Sequence, residues 1–241
     1  MHTFYMDHGA IFGDAVTFPP EEALHAYRVL RLSPGDRVRI ADGCGRLWEA
    51  ELTKSDASGV TARLAQALSN SESPVAVTLY QGLPKGEKME WIVQKAVELG
   101  VSRICPVEMQ RSVMRINGKA AQHKLERWQR IAREAAKQCG RGTAPEIALP
   151  AQFVQALPEM RSHELLIMPW EEAKDEHLND VKQEHPQATD IGILIGPEGG
   201  ISREEAESCN ALQVTLGPRI LRTETAAIAA LAAVQMLWGD L

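Results

Sequence analysis

Two stretches near the end of the chain decide the fold: GILIGPEGG at residues 192–200 and VTLGPRILRTETA at residues 214–226. Each begins with a short apolar run, as a buried strand of a parallel sheet does, and then passes into a glycine-bearing loop. In open parallel sheets, ligands bind at the carboxyl ends of the strands. If these two strands are neighbours, their loops form two walls of one crevice, and we predict a binding site there.

The sequence around these stretches alternates between strand and helix patterns. Three further apolar runs predict strands: VAVTLYQ (75–81), RICPV (103–107) and ELLIMP (164–169). Amphipathic or Ala-rich segments predict helices over 88–99, 119–139 and 223–238, and Ser202 with Glu205 has the spacing of a capping box. Strands that alternate with helices predict an α/β domain with a mostly parallel sheet.

The first 70 residues have a different pattern, which is rich in β-strand signals. DRVRIADG (36–43) and RLWEAELTK (46–54) alternate polar and apolar residues across a glycine-containing turn, and GVTARLAQAL (59–68) predicts a third strand whose end could also be helical. The polar segment 70–74 contains a proline and is typical of a linker. We therefore predict a small β-barrel domain over residues 1–72 and the α/β domain over residues 73–241.

Composition places the chain among ordinary globular proteins. It has 241 residues, of which 44% are hydrophobic and 24% charged. No apolar run reaches the length of a membrane span and no secretory signal is visible, so we expect a cytoplasmic protein that does not associate with membranes. The four cysteines, Cys44, Cys105, Cys139 and Cys209, are far apart, which predicts reduced and at least partly buried thiols and no metal site.

Charge is distributed unevenly along the sequence. The net charge is −6, yet residues 111–141 carry nine lysines and arginines against two glutamates, a net charge of +7. Residues 158–190 carry nine acidic against three basic side chains, a net charge of −6. The basic segment can face a phosphate backbone or can simply be a solvated helix face, and charge alone leaves both interpretations open.

The two glycine-bearing loops restrict the chemistry of the ligand. Neither is a Walker A sequence or a GxGxxG fingerprint, and Glu198 in the first loop is unfavourable for a polyphosphate. Glycines allow close approach of the main chain to a ligand. The loops therefore favour a phosphate-free nucleoside, with a sulfonium cation beside the carboxylate. Two structural strand-to-helix turns are the alternative interpretation.

Several segments together resemble one enzyme family. QGLPKGEKMEWIVQKAVELGVSRICPV (81–107), RWQRIAREAAKQCGR (127–141), ILIGPEGGIS (193–202) and VTLGPRILRTETAAIAAL (214–231) are similar to the bacterial 16S ribosomal RNA uridine-1498 N3-methyltransferases. That family belongs to the SPOUT class of knotted methyltransferases. HAYRVLRLSPGDRVRIADGCG (25–45) resembles the family's PUA-like barrel, so the similarity covers most of the chain.

The resemblance implies a cofactor, partners and site residues. It implies S-adenosylmethionine bound in a C-terminal trefoil knot, a homodimer formed through the C-terminal domain, and an N-terminal barrel that helps to hold 16S rRNA of the small ribosomal subunit. The cofactor-binding positions that it implies are Met168, Pro169, Gly196, Gly199, Gly200, Leu216, Gly217, Ile220, Leu221 and Arg222.

Methylation of uridine N3 requires removal of the N3 proton and an unpaired target base. Arg222 can stabilise negative charge on the uracil oxygens, and Glu198 can act as a base or orient another group, so both are predicted catalytic residues. Glu224 can do either, but a carboxylate in a first helical turn also simply favours the helix dipole. Thr223 is predicted to be the N-cap of the last helix.

Cations outside the two loops are candidates for contact with RNA. Lys85 follows the first strand of the second domain, Arg28 and Arg31 lie in the barrel, and Arg111 follows the second strand. For each of them an ordinary surface cation is an equal alternative. Trp91 and Trp128 are predicted core or interface residues, because they lie at helical spacing among apolar neighbours.

Three other functions compete with this interpretation. The first is a SPOUT methyltransferase that acts on another RNA, such as tRNA or 23S rRNA. The second is a non-catalytic RNA-binding protein of ribosome assembly, against which the two glycine loops argue. The third is a nucleotide-binding oxidoreductase, which would need a GxGxxG turn after its first strand.

Overall fold

The computed structural model of the protein describes residues 1–6, 8–69, 71–115, 118–173 and 176–241. Contacts among these residues divide the chain into two compact units. The first contains Met1–Glu72 and Ala136–Ala144, and the second contains Ser73–Ala135 and Pro145–Leu241. The sequence did not predict that residues 136–144 group with the first unit. Asn70, part of the predicted linker, lies outside the described residues.

The first unit is built on one sheet. Its strands are β1 (Thr3–Tyr5), β2 (Ile11–Phe12), β3 (Ala15–Thr17), β4 (Arg37–Ala41), β5 (Leu47–Asp56) and β6 (Gly59–Leu68). They lie in the order β1-β4-β5-β6-β3-β2, antiparallel except for the parallel pair β1 and β4. Helix α1 (Pro20–Leu24) continues into a π-helical turn over His25–Val29. The predicted small β-module is confirmed, and β6 is a strand to its end.

Alternation along these strands places their apolar side chains in one core. Phe4, Val38, Ile40 and Leu52 are at most 2% exposed, because successive strand residues point to opposite faces of the sheet. Residues 136–144 bond to the same unit. The Tyr5 hydroxyl donates to the Arg141 carbonyl at 2.8 Å.

The second unit contains a parallel sheet. Its strands are β7 (Ala76–Gly82), β8 (Arg103–Glu108), β9 (Glu146–Ile147), β10 (Ala151–Gln152), β11 (Leu165–Pro169), β12 (Asp190–Ile195) and β13 (Leu212–Val214). The order is β10-β8-β7-β12-β11-β13, with β9 also paired to β8, and every pair is parallel. The helices are α2 (Lys88–Glu98), α3 (Gly118–Cys139), α4 (Phe153–Met160), α5 (Leu178–Glu184), α6 (Arg203–Cys209) and α7 (Thr223–Trp238). The predicted α/β class is confirmed.

The apolar residues of helix α2 lie on one face, which is buried. Met89, Ile92, Val93 and Ala96 form its buried stripe, since residues three and four apart share one helix face. Trp91 points away from that stripe and is 44% exposed, so of the two predicted places, core or interface, only an interface is left for it. Trp128 on α3 is 1% exposed and lies in the core as predicted.

The strand order differs from the simplest expectation. Strands β12 and β13 are consecutive in sequence but are not neighbours, because β13 pairs with the outer edge of β11. The chain therefore passes beyond β11 and then returns, so that α7 packs against β7, β12, α2 and α5. This return is the part of the chain in which the resemblance implies the knot.

Two cysteines differ from the expected burial. Cys105 and Cys209 are buried in the second unit, but Cys44 and Cys139 are exposed, because one lies in a turn and the other ends a helix. Within the described ranges, no helix is long and apolar enough to cross a membrane. The same ranges contain no group of three or more His, Cys, Asp or Glu side chains arranged to hold a metal ion.

Candidate active site

Three loops at the carboxyl edge of the parallel sheet enclose one cavity. They follow β11, β12 and β13, and the cavity measures about 770 Å³, a volume that suits a nucleoside-sized ligand. The residues that line it are Pro169, Trp170, Glu171, Ala173 and His177 after β11, Ile195 to Glu198, Gly200 and Ile201 after β12, and 215–223 with Ala226 after β13, joined by Lys88. The two loops predicted to share a crevice do so, although their strands are separated by β11. The loop after β11 supplies the third wall.

The inner wall of the cavity is fixed by a buried hydrogen-bond chain. The Thr223 hydroxyl donates to the Gly196 carbonyl at 2.6 Å and accepts from Gln81 Nε2 at 2.9 Å. Gln81 is 0% exposed and also donates to the Gly82 carbonyl. These bonds join the end of β7, the loop after β12 and the start of α7. We call these three residues, Gln81, Gly196 and Thr223, the anchored wall.

This arrangement corrects the prediction for Thr223. The N-cap of α7 is Arg222, whose backbone is extended, and Thr223 is the first helical residue. Its hydroxyl is committed to Gly196 and Gln81, so it does not cap the helix. Sequence reasoning also missed Gln81. A single amide at the end of an apolar strand was the available signal, because a buried polar side chain needs partners.

Two glycines in these loops have separate structural reasons. Gly217 has a φ of +101° and open space where a Cβ would lie, so the backbone conformation alone favours glycine there. Gly199 lies against Arg111, with a Cβ position only 2.9 Å from the Arg111 carbonyl oxygen. Gly199 does not line the cavity, whereas Gly217 does. Close packing of the first loop therefore accounts for one glycine of GPEGG.

A cluster of three charges lies beside the cavity. Lys88 Nζ is 2.9 Å from Glu198 Oε1 and 3.2 Å from Glu224 Oε2. The Lys85 main-chain N–H also donates to Glu198 Oε1, at 3.1 Å. Lys88 and Glu198 both line the cavity. The cluster joins α2, the GPEGG loop and α7, and sequence reasoning missed the contacts of Lys88 in it.

The environment of this cluster favours the charged forms of Glu198 and Lys88. Burial raises the pKa of Glu198, but hydrogen bonds from Lys88 and from the Lys85 main chain outweigh it, so the pKa lies below its ordinary value. The hydrogen bond to Glu198 raises the pKa of Lys88. A carboxylate held ionised and already paired is a weak proton acceptor, so the geometry favours an orienting role for Glu198 over a basic one.

The outer edge of the cavity is open. Ile220 is 85% exposed, and Arg222 is exposed with no side-chain partner among the described residues. Both line the cavity, as do Gly217, Pro218, Arg219 and Leu221. We call residues 217–222 the open rim. An unpartnered arginine at such a rim is available to a second ligand.

The predicted cofactor positions divide into two groups. Eight line the cavity: Pro169, Gly196, Gly200, Leu216, Gly217, Ile220, Leu221 and Arg222. Gly199 packs outside it, and the Met168 side chain is 0% exposed in the core, 4.0 Å from Cys209 Sγ. Met168 therefore does not line the cavity.

The four predicted RNA contacts are all exposed. In the first unit, Arg28 lies in the π-helical turn, and Arg31 follows it with a left-handed φ of 54°. In the second unit, Lys85 lies beside Glu198, and the Arg111 guanidinium donates to the Gly199 carbonyl at 3.2 Å. Arg111 therefore stabilises the GPEGG loop, and this contact does not depend on whether it also binds RNA.

Models of known protein families match both units of the chain. Residues 71–235 match the model of an RNA methyltransferase domain, and residues 18–65 match the model of an RNA methyltransferase PUA domain. Among curated relatives, the ribosomal RNA small subunit methyltransferase E of Bacillus subtilis is 34% identical over 232 residues, which cover 91% of each chain. That of a Synechocystis species is 35% identical and covers 92% of this chain and 73% of the relative.

Solved structures give the same result. A ribosomal RNA small subunit methyltransferase E from Neisseria gonorrhoeae, bound to S-adenosyl methionine, has a TM-score of 0.88 and 36% identity over 100% of this chain and 99% of its own. A methyltransferase of Legionella pneumophila, also with this cofactor bound, has a TM-score of 0.87 and 34% identity over 99% and 98% of the two chains. These likenesses confirm the family resemblance and the SPOUT-type fold predicted from the sequence. The chain belongs to the RNA methyltransferase family that includes the bacterial ribosomal RNA small subunit methyltransferases E.

Proposed function

We propose that this protein transfers a methyl group from S-adenosylmethionine to N3 of a uridine in 16S rRNA of the small ribosomal subunit. The observation that carries the proposal is the cavity formed by three loops at the carboxyl edge of the sheet, in a chain of the RNA methyltransferase family. The names of the curated relatives support the substrate class, and the cofactor bound in two solved relatives supports the methyl donor.

The residues around the cavity fit this cofactor. Leu216, Ile220 and Leu221 provide apolar surface for an adenine ring, and the main chain of both glycine loops provides N–H and C=O groups for a nucleoside. Glu171 and Glu198 add carboxylates that suit a positively charged ligand. The cofactor, when bound, supplies a methyl group on a sulfonium centre. In this assignment Pro169, Gly196, Gly200 and Leu216 to Arg222 form its wall.

The protein's own task is to orient the uracil and to favour loss of its N3 proton. Arg219 and Arg222 both line the cavity, and neither has a side-chain partner among the described residues. We assign the second task to Arg222, because it adjoins the anchored wall at Thr223 and can face uracil O2 or O4. Lys88 is less suited, since its charge is already shared by two carboxylates. In this proposal Glu198 holds the loop in place through Lys88 and is a positioning residue.

Two further features complete the proposal. We infer a homodimer through the second unit, because Trp91 on α2 and Met236 on α7 are 44% and 71% exposed although these helices pack together. Residues 1–72 serve as the RNA-binding domain, with Arg28 and Arg31 as candidate contacts. A ribosomal RNA substrate places the protein in the cytoplasm.

The dimer has its own test in light scattering coupled to size-exclusion chromatography. Met236→Glu is expected to give monomers. Val154→Glu, at an equally exposed apolar residue on α4, is the matched control and should leave the oligomeric state unchanged. A wild-type chain that is monomeric at micromolar concentration would rule out the dimer.

The activity is tested by incubating the protein with labelled cofactor and three substrates in parallel: unmodified small subunits, free 16S rRNA and tRNA. We expect label on 16S rRNA, and mass spectrometry of nuclease digests should identify N3-methyluridine. Label on tRNA alone, or on a ribose hydroxyl, would assign the protein to another SPOUT reaction. RNA binding without any transfer would indicate a non-catalytic assembly protein.

The residue assignments are tested in the same assay. Arg222→Ala and Glu198→Ala are both expected to lower methyl transfer, Arg222→Ala by the larger factor. If both variants keep full transfer and full cofactor affinity, the roles given to these side chains are wrong.

A further inference from the structure

Helix α3 has two faces of opposite character. Ala121, Trp128 and Ala132 are at most 5% exposed and form its buried face. Lys119 and Arg130 lie about 180° around the helix from Trp128, since each residue advances by about 100°. Both are exposed, as is Arg133 beside them. We call Lys119, Arg130 and Arg133 the basic face of α3.

The basic face makes no contribution to the fold that the structure shows. Within the described part of the chain, none of its three side chains has a hydrogen bond or an ion pair. The neighbouring Arg127 differs, because its guanidinium lies 2.7 Å from Glu90 Oε2 on α2. Glu126 lies on the same side of α3 but bonds to Gln122 on its own helix. The three cations are therefore available to a partner.

Apart from Glu126, which precedes Arg130 by the favourable four residues, the charges of this surface are placed against the preferences of a helix. Arg127, Arg130 and Arg133 follow one another at intervals of three residues, and like charges at that spacing repel each other. Lys119 lies in the first turn, which contains no acidic residue, although a helix N-terminus favours negative charge. Charges that are placed against helix preferences and make no stabilising contact in the fold are typical of functional surfaces.

The basic face is connected to the cavity through α2. Arg127 is paired with Glu90, and Lys88, two residues earlier on the same helix, lines the cavity and pairs with Glu198. A nucleic acid strand that leaves the cavity over the first turn of α2 therefore comes close to α3, where Arg127 meets Glu90. Its phosphates would then meet cations that have no partner within the chain.

We propose that the basic face of α3 binds the phosphate backbone of the rRNA that carries the target uridine. This inference rests on the proposed function for the identity of the RNA. Phosphate contacts of this kind position a substrate without reading its sequence. They should act on RNA affinity and leave the chemical step unchanged. The alternative partner is an acidic protein surface, such as residues 158–190 of a second copy.

The test is filter binding of 16S rRNA across a salt series, without cofactor, for the double variant Arg130→Gln/Arg133→Gln. We expect the slope of log affinity against log salt to fall by about one unit for each charge removed. The double control Lys95→Gln/Arg203→Gln removes two cations that are paired with Glu98 and Glu172, and it should keep the wild-type slope. Arg130→Lys/Arg133→Lys should also keep most of the slope.

Methyl transfer gives a second readout. The double glutamine variant should raise KM for rRNA about tenfold and leave kcat at saturating rRNA within twofold of wild type. Its urea midpoint should equal or exceed that of wild type, because a repulsive row of charges has been removed. A merely structural role for the two arginines would lower that midpoint instead.

Three outcomes overturn the inference. They are an unchanged salt slope, a fall in kcat with KM unchanged, and loss of self-association in place of RNA affinity. These differ from failure of the proposed function. If the wild-type protein binds rRNA with the expected slope but transfers no methyl group, the RNA-binding role of the basic face is supported and the methyltransferase assignment is wrong.

Discussion

The anchored wall and the open rim of the cavity are adjacent in sequence but are built differently. Thr223 is 6% exposed and is bonded to both Gln81 and Gly196. One residue earlier, Arg222 is exposed and its side chain has no partner among the described residues. The boundary between the two regions is the start of α7, where the main chain passes from loop into helix.

This difference separates two tasks within one cavity. A buried wall that is held by its own hydrogen bonds is set in position before any ligand arrives, and that lowers the cost of ordering a bound cofactor. An exposed arginine with no partner keeps its donors for a later ligand, which here would be the RNA base. The comparison therefore predicts that variants of the anchored wall change cofactor affinity and that loss of the Arg222 side chain changes the rate of transfer.

Arg222→Ala should have the largest effect. Removal of one donor to developing negative charge lowers kcat by about 100-fold, and affinity for the cofactor should change by less than about threefold because the main chain at residue 222 is retained. Arg222→Lys should recover part of the loss. Single-turnover kinetics and isothermal titration calorimetry measure the two quantities. A tenfold loss of cofactor affinity with unchanged kcat would reverse the assignment of wall and rim.

Thr223→Val should have the next largest effect. The substitution leaves the Gly196 carbonyl and one Gln81 donor without their buried partner, which costs about 1–3 kcal/mol of unfolding free energy. Cofactor affinity should fall about tenfold, since the wall is then held less firmly. Thr225→Val, at an exposed threonine two residues along the same helix, is the control and should be neutral in urea unfolding and in calorimetry. Equal behaviour of the two variants would show that the wall is not anchored by this hydroxyl.

Removal of the Lys88 charge from the charge cluster should have a smaller, pH-dependent effect on the free energy of unfolding. The pKa of Glu198 is lowered from its ordinary value of 4.5, so its contribution to stability is present above that value and is lost as pH falls through the lowered pKa. Lys88→Met should therefore lower the urea midpoint at neutral pH, and the difference from wild type should vanish in acid. Lys95→Met, at the exposed pair with Glu98, is the control. A difference that stays constant as pH falls from neutral through the lowered pKa of Glu198 would contradict this account.

Glu198→Gln tests the same cluster kinetically. If Glu198 positions the loop, the amide still accepts from the Lys85 main chain, and kcat should fall less than tenfold with an unchanged pH profile. If Glu198 is the base, kcat falls by about 100-fold or more and the acidic limb of the pH profile disappears. The pH dependence of kcat distinguishes the two.

Arg31→Gly should have the smallest effect on stability and on RNA affinity. Arg31 is the exposed side chain of the first unit that corresponds in this comparison to Arg222. Arg31 has a φ of 54°, and the Leu32 N–H bonds to the Ala26 carbonyl, as at a helix end where glycine is usual. Glycine there should stabilise the protein by about 1 kcal/mol. RNA affinity should fall by severalfold if the arginine binds phosphate. Arg37→Gln, at an exposed pair on β4, is the control for loss of charge.

Most of the fold could be predicted from sequence, because periodicity reports burial directly. The bounds of α7 and α2 were predicted almost to the residue. The short strands β9 and β10 and the helices α4 and α5 were not, since their apolar patterns are too brief to be periodic. In the site, glycines and Arg222 were visible as motif residues. Gln81 and Lys88 were not, because their importance depends on partners more than 100 residues away.

The sequence by itself determined the two loops, their lack of phosphate-binding motifs and the family to which they belong, since these are properties of contiguous residues. Only the tertiary structure decided that β11 lies between β12 and β13 and that a third loop completes the cavity. It also decided that Thr223 fixes a wall while Arg222 stays free. The physical reason is that hydrogen bonds and ion pairs depend on distance in space, and sequence pattern specifies which face a residue takes but not what lies opposite it.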